Sequence, residues 1–554
     1  MTEKEALKQS VINIKELIKL EERFSDCQDD EILLADDFDL KLNSRGYYLN
    51  DEERSTHMHI MGSTGGGKSK LIEFMLRQDI DRGVGVCLID PHGELYYDIL
   101  RYIIKNCDDD VKQKVILINP MAKEYLVSFN PFQMHRGDAG THAKRVLSSL
   151  EKVWKTNFDE KPGIKKTLKK VFKTAIIRNL TIHQVAKLLD NEDARKDFVS
   201  ELEHNPLKEI DLNNYWIDVV KNSKQNKPIF DGAHTRLEDI IDTDSLKMMT
   251  LMEKSIDFNE VVSGDGIILV NLAESNVFDQ KSSQSLGILL VNEILSIFKE
   301  RSVSFISAGD EGYKINWNPF FLYVDEFHEF FTPDFNKILS GGRKFGLHVI
   351  LANQTFSQLD KLDDSLRKDV MNNTTVKAYF PLKDMKDSEE VIYQLGKYEP
   401  KIKEKVTKLQ QFADGYDTVE STNRSYSAGS SPVSYNTGER LVARHKIDSR
   451  EENIYYTTQE VSLMEGKQFQ LLKKRVFLFH SGEQKKGVYL TTDWVFQTEC
   501  KVEEIYEFEK FVGEHHPEIY EKVTVLKKRL EELEVPKTNS QYQGDESNET
   551  FFSK

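Results

Sequence analysis

The residues best suited to chemistry form the run Gly62-Ser63-Thr64-Gly65-Gly66-Gly67-Lys68-Ser69, a complete G-x-x-x-x-G-K-S. Glycines let such a loop wrap phosphates closely with its N–H groups turned inward. A helix beginning at the loop adds its positive N-terminal end. Lys68 is placed to reach the β- and γ-phosphates of ATP, and the Ser69 hydroxyl to hold Mg²⁺. The expected ATP-binding set is Gly62, Ser63, Thr64, Gly65, Gly66, Gly67, Lys68, Ser69 and Lys70. Hydrolysis needs an acidic site at the end of a second strand. Phe321-Leu-Tyr-Val-Asp325-Glu326 supplies it, with Asp325 in the Mg²⁺ shell and Glu326 placed to polarise an attacking water. Further on, an apolar run from His348 ends in Asn353-Gln354, where Gln354 meets either the γ-phosphate or that water. Before it stands Ser340-Gly-Gly-Arg343-Lys344. Arg343 is open to two readings, a surface arginine near a helix C-terminus or a guanidinium presented across a subunit boundary.

These groups need strands to carry them. Apolar runs of strand length occur at Met58–Met61, Val84–Ile89, Val115–Ile118, Ile267–Leu272, Phe320–Val324, His348–Ala352 and Val376–Phe380. Several are apolar almost throughout, as in a parallel sheet covered on both faces, and helical patterns lie between them. The expected fold class is α/β, a P-loop core with a mostly parallel sheet.

The core is expected at 38–135 and 256–415, interrupted by an all-helical insertion at 136–255 in which Ile164, Leu168, Val171, Phe172 and Ala175 form one stripe. Residues 1–37 read as an N-terminal helical segment. Residues 416–440, rich in Ser, Thr, Tyr, Asn and Gly, read as an exposed flexible loop. Residues 441–500 read as a small β-rich end of the core, 501–535 as a C-terminal helix, and 536–554 as a disordered tail. Asp90-Pro-His-Gly-Glu94 is either a structural turn or a neighbour of the nucleotide.

Composition narrows the setting. The 554 residues are 39% hydrophobic and 30% charged, a globular profile, and the net charge is −16. That balance argues against coating nucleic acid with the whole surface, while leaving room for a local basic channel. No apolar run approaches a membrane span, and the four cysteines form no zinc-like cluster. No membrane insertion and a cytoplasmic location are expected.

The block F-F-L-Y-V-D-E-F-H-E-F-F-T-P-D-F-N-K-I-L-S-G-G-R-K-F-G-L-H-V-I-L-A-N-Q-T resembles the HerA/FtsK superfamily of DNA-pumping motors. Its nearest branch is the TraG/TraD-type coupling proteins and their soluble HerA-like relatives. H-M-H-I-M-G-S-T-G-G-G-K-S, L-I-D-P-H-G-E-L and S-F-N-P-F agree, and the likeness covers about residues 38–400. The resemblance implies a RecA-like core, a homo-hexameric ring with DNA through a central pore, and Arg343 as the finger on the neighbouring subunit's ATP. It implies an ATP-driven DNA translocase or helicase-type motor, with a partner such as a nuclease or sirtuin-like effector in antiphage defence or DNA processing. A conjugative coupling ATPase working with a relaxase is the alternative. A ring that uses ATP only to assemble as a scaffold for an effector is a reading of another class. Only 61 residues precede Gly62, so neither the membrane helices of coupling proteins nor the β-barrel of archetypal HerA is expected here.

Overall fold

The computed structural model describes residues 27–37, 46–134, 137–154, 160–252, 254–307, 317–332, 335, 339, 341–363, 365–395, 402–424, 435–455, 458–482, 487–492 and 495–534. The expected helix over 1–24 and the tail from 536 lie outside them.

Eleven of the described strands form one sheet. In chain order they are β1 (Glu31–Asp37), β2 (Gly46–Asn50), β3 (Met58–Met61), β4 (Gly85–Asp90), β5 (Val115–Ile118), β7 (Ile267–Asn271), β8 (Phe320–Val324), β9 (Leu347–Asn353), β10 (Val376–Tyr379), β13 (Val476–His480) and β14 (Val488–Thr491). Short β6 (Tyr125–Val127) pairs with β15 (Tyr520–Lys522), and β11 (Ile402–Arg424) with β12 (Tyr435–Tyr455). The large sheet runs β2-β1-β14-β13-β10-β3-β9-β8-β4-β7-β5. From β10 to β5 every pairing is parallel. These seven strands are the seven apolar runs of the sequence. Their residues are buried on both faces, as in β4, where Val86, Cys87, Leu88 and Ile89 are fully enclosed. Cys87 is accordingly a core residue whose thiol burial pushes well up. From β10 outward the sheet continues antiparallel through β13, β14, β1 and β2.

A buried polar bolt fixes the phosphate-loop helix against the acidic strand. Arg54 pairs with both carboxylate oxygens of Asp79, at 2.7 and 2.6 Å. Its NH2 also reaches the Tyr323 hydroxyl at 2.8 Å, and its guanidinium lies 3.8 Å over the Phe321 ring. Tyr323 Oη donates to Asp79 as well. Asp79 belongs to the helix Lys68–Asp81 and Tyr323 to β8, so the bolt sets that helix relative to the strand ending at Asp325. Removing one partner of such a buried pair costs about 3–5 kcal/mol, because the other charge stays buried.

Between Ala139 and Met249 the described residues form seven helices and no strand. They pack around Leu168, Val171, Phe172, Phe198 and Trp216, all fully buried. Trp216 Nε1 donates to Thr174 Oγ1 at 2.9 Å, which satisfies the indole inside that core. Two contacts tie this region to the segment after Glu326. Asn292 donates to Ser149 Oγ at 2.6 Å and accepts from Thr332 Oγ1 at 2.8 Å. Lys152 Nζ donates to the Phe331 carbonyl and sits over its ring at 4.1 Å.

Four expected boundaries need correction. Residues 31–37 are strand β1, not part of a helical segment; they pair with β2 and β14 and so extend the sheet. Residues 416–440 are not one loop, because β11 and β12 run through most of them as a long antiparallel pair. Their polar, two-sided strands show no apolar alternation; Tyr416, Leu441 and Val442 are exposed. The chain accordingly divides into two compact units, Ser388–Gln470 and the remainder, so residues 441–455 belong with that hairpin and only β13 and β14 rejoin the core. The expected C-terminal helix is two, Val502–His515 and Val523–Glu534, broken at Pro517 with β15 between. No described helix is long and apolar enough to cross a membrane.

Candidate nucleotide site

The parallel strands end in register along one edge of the sheet. Met61 is level with Asn353, Val324 with Leu351, and Ile89 with Val324. Ligands of open α/β sheets bind outside these carboxyl ends. The Gly62–Gly67 loop leaves β3 there and delivers Lys68 as the first residue of the helix Lys68–Asp81, whose N-cap Gly67 makes no side-chain cap. Gly67 has φ 121°, and a Cβ on it would lie 3.0 Å from Phe380 Cε1 and 3.2 Å from Arg475 Cα. A Cβ on Gly62 would lie 2.6 Å from Phe380 Cβ. Only glycine fits this close approach.

Lys68 is buried, with Nζ 2.7 Å from Glu326 Oε1 and 3.4 Å from Asp325 Oδ1. Gln354 Nε2 donates to the same Glu326 oxygen at 3.0 Å, and Thr64 Oγ1 donates to Gln354 Oε1 at 3.3 Å. Gln354 is itself held by Gln358, whose Oε1 accepts from the Gln354 N–H at 2.8 Å. Glu326 stands in the left-handed region (φ 44°, ψ 46°), a conformation that non-glycine residues adopt mainly where structure imposes it. Burial opposes the Glu326 charge. The Lys68 ammonium and the hydrogen bonds from Lys68 and Gln354 nevertheless hold its carboxyl below the usual range. His328 Nδ1 lies 3.5 Å from the other oxygen, Oε2, and burial pushes the imidazole down despite that carboxylate.

Thr64, Lys68, Asp325, Glu326 and Gln354 are thus brought together, and Ser69 lies exposed at the helix start. Lys70 departs from expectation. Its Nζ is taken by Glu73 at 2.6 Å and Asp98 at 2.8 Å, so its side chain joins two helices rather than facing phosphate. Asp90 ends β4 and caps the turn that follows. Its carboxylate accepts from the N–H groups of His92 (2.8 Å) and Tyr96 (2.9 Å). Arg343 is not with the others. Its backbone lies in the 3-10 helix Gly342–Phe345, which enters β9 from the opposite edge of the sheet, while Gln354 follows β9 at the loop edge. Its side chain lies outside the described residues. Seven strand residues separate the two edges, about 23 Å at ~3.3 Å per residue.

Comparison with known proteins fits this architecture. A family model for the central domain of helicase HerA matches residues 44–274, and one for the TraM recognition site of TraD and TraG matches residues 319–473. This chain is of the HerA/FtsK type. The HerA/FtsK-type chain is 24% identical over 367 residues to a probable DNA double-strand break repair helicase HerA of Methanocaldococcus jannaschii, covering 62% of this chain and 65% of that protein. It is 22% identical over 338 residues to the DNA double-strand break repair helicase HerA of Sulfolobus acidocaldarius, covering 59% and 56%. It therefore spans less than two thirds of either relative. The bacterial conjugative coupling protein TrwBdeltaN70 shares the fold, with a TM-score of 0.50 at 14% identity over 82% of this chain and 88% of that one.

The HerA/FtsK-type chain also walls its phosphate loop with residues that no local motif announces. Phe380 follows β10 and stacks 5.0 Å from Phe477 of β13. The Arg475 N–H donates to the Gly66 carbonyl at 2.9 Å, and Arg475 has φ 73°. Lys473-Lys474-Arg475 is by itself only a short basic stretch, and the loop that Arg475 meets lies far away along the chain.

Proposed function

We propose that this chain is an ATP-hydrolysing motor that moves DNA and works as a ring. The observation that carries the reading is the division of labour across one sheet. Lys68, Asp325, Glu326 and Gln354 converge at one edge, while the Arg343 segment enters from the other. A finger rooted at the far end of β9, about 23 Å of strand away from the loop edge, acts on a neighbour's nucleotide. Each site is then completed by two subunits, and a closed ring completes all of them.

Incoming phosphates compete with Glu326 and Asp325 for the Lys68 ammonium. Once Lys68 turns to the β- and γ-phosphates, Glu326 keeps its hydrogen bond from Gln354 and gains a lone pair for the attacking water. Before nucleotide arrives, Lys68 and Gln354 hold the buried Glu326 carboxyl below its usual range, so it is ionised as the site fills. The pocket already balances a cation against Asp325, and its donors are hard oxygens, which suits Mg²⁺. Ser69 and Asp325 would hold the ion, which when bound neutralises charge on the phosphate oxygens. Arg343 of the adjacent subunit stabilises the transferring phosphoryl, worth roughly 10³–10⁵ in well-studied NTPases.

The names of the HerA relatives support DNA as the substrate and DNA processing as the setting; a nuclease or other effector as partner, in a processing or defence complex, is part of the proposal. The match to the TraM recognition site of TraD and TraG favours a second setting, delivery of DNA in conjugation. The deciding experiment is DNA-stimulated ATP hydrolysis together with displacement of a triplex strand. Lys68→Ala is expected to abolish both. Glu326→Gln is expected to bind ATP but lose about 10²–10⁴ in turnover. Hydrolysis without displacement would instead support an ATP-assembled scaffold.

A further inference from the structure

The helix Gln280–Ser307 carries a buried arginine that the ATP site does not use. Arg301 is 5% exposed. Its guanidinium lies 4.4 Å from the Trp317 ring centroid and 4.8 Å from that of Phe298. NH1 donates to the Phe345 carbonyl at 3.0 Å. NH2 donates to Ser263 Oγ at 3.2 Å and to the Val262 carbonyl at 3.4 Å. Among the described residues its hydrogen-bond partners include no carboxylate, and its Nε has none at all. Burial pushes its pKa down to about 10. A guanidinium held without a counter-charge is costly, and a hydrophobic side chain of similar size would fill the space without that cost. What the arginine adds is direction, a fixed fork of donors aimed at the end of the helix Phe258–Ser263 and at the 3-10 turn Gly342–Phe345.

The second of these is the turn that carries Arg343. Phe345 closes the 3-10 helix Gly342–Phe345, and Gly346 follows at φ 82°. A Cβ on Gly346 would come within 2.8 Å of the Asn318 carbonyl and 2.9 Å of Trp317 Cβ. The same Cβ would lie 3.6 Å from Arg301 NH1, so the turn is seated against Arg301, Trp317 and the Asn318 carbonyl together.

We infer that Arg301 is a positioning residue for Arg343, fixing the 342–346 turn so that Arg343 meets a neighbouring subunit's nucleotide. This rests on the trans-acting reading of Arg343. Misplacement of a catalytic group by about 1 Å costs about 10²-fold. The expected signature is a loss confined to turnover, because Arg301 lies away from the loop that binds ATP.

The test is steady-state DNA-stimulated ATPase of the full chain as wild type, R301M, R301K, R343A and R301M/R343A, with assembly mass and melting temperature recorded for each. R301M is expected to lower kcat by about 10²-fold with KM for ATP held within about twofold. R301K is expected to recover part of the loss, and R301M/R343A to be no slower than R343A alone. An inactive R343A beside an R301M of wild-type kcat overturns the inference and leaves the finger reading standing. So does a loss in R301M that multiplies with R343A or appears in KM. A fully active R343A removes the finger reading itself. If R301M does not fold, G346A disturbs the same turn through the Asn318 carbonyl with Arg301 intact, and wild-type kcat there overturns the inference equally.

Discussion

Lys68 carries one positive charge between two carboxylates, and its neighbour Lys70 carries one between two others, yet the two pairs have different tasks. The Lys68 pair is buried at the loop edge. The Lys70 pair joins the helix Lys68–Asp81 to Glu94–Asn106 through Glu73 and Asp98, and the Lys70 side chain is 44% exposed. Lys70→Ala should therefore leave KM for ATP within about twofold and cost about 1 kcal/mol of stability, since Lys70 itself is half exposed and Arg77 still pairs with the buried Glu73. Parallel ATPase and thermal-melt measurements on Lys70→Ala and Lys68→Ala check this; a large KM increase in Lys70→Ala would return it to the nucleotide site. At this scale the phosphate loop and Asp325-Glu326 were legible because each is a local run whose chemistry its own residues announce. Gln354 was legible from its strand end. The loop's walls, Phe380 and Arg475, were not, because they meet Gly62 and Gly67 only after the sheet has brought distant segments together.

Among the elements, the seven parallel strands were readable because burial on both faces makes a strand apolar throughout, and β11 and β12 were unreadable for the opposite reason. Burial also leaves a measurable trace on β10. Lys377 is 8% exposed, and burial pushes it down to about 8 from an ordinary 10.5. Below pH 8 the side chain is charged in both folded and unfolded chains, so the folded protein bears the whole desolvation cost. Between about pH 8 and 10.5 the unfolded chain holds the proton and the folded one has released it, so the Lys377 contribution to stability rises with pH. Lys377→Met should melt higher than wild type at pH 7, with the gap closing as pH is raised toward 10. Melting curves of the two proteins that stay parallel from pH 7 to 10 would show that Lys377 is not the group responsible.

At the scale of the whole molecule, the sheet separates the two halves of the catalytic apparatus by the length of β9. Every subunit of the proposed ring then belongs to two sites, lending its loop to one and its Arg343 to the next. Lys68→Ala and Arg343→Ala chains, each inactive alone, should recover activity when assembled together. In a random equal mixture roughly a quarter of the junctions pair an intact loop with an intact arginine. ATPase of the mixed assembly, set against each variant alone, measures this; a mixture as inactive as its components would mean that Arg343 acts within its own chain. The sheet's far edge has a consequence for how the chain is made. Asp36 of β1 is paired with Thr491 of β14, and the phosphate loop is walled by Arg475. A ribosome emitting this chain releases β1 and the loop about four hundred residues before their partners. Such non-local pairings fold slowly, and they leave a strand edge uncovered while synthesis continues. The proposed ATP site is therefore completed only once Arg475 and β14 have emerged, and a nascent chain stopped before Arg475 would carry the full phosphate-loop sequence without its walls.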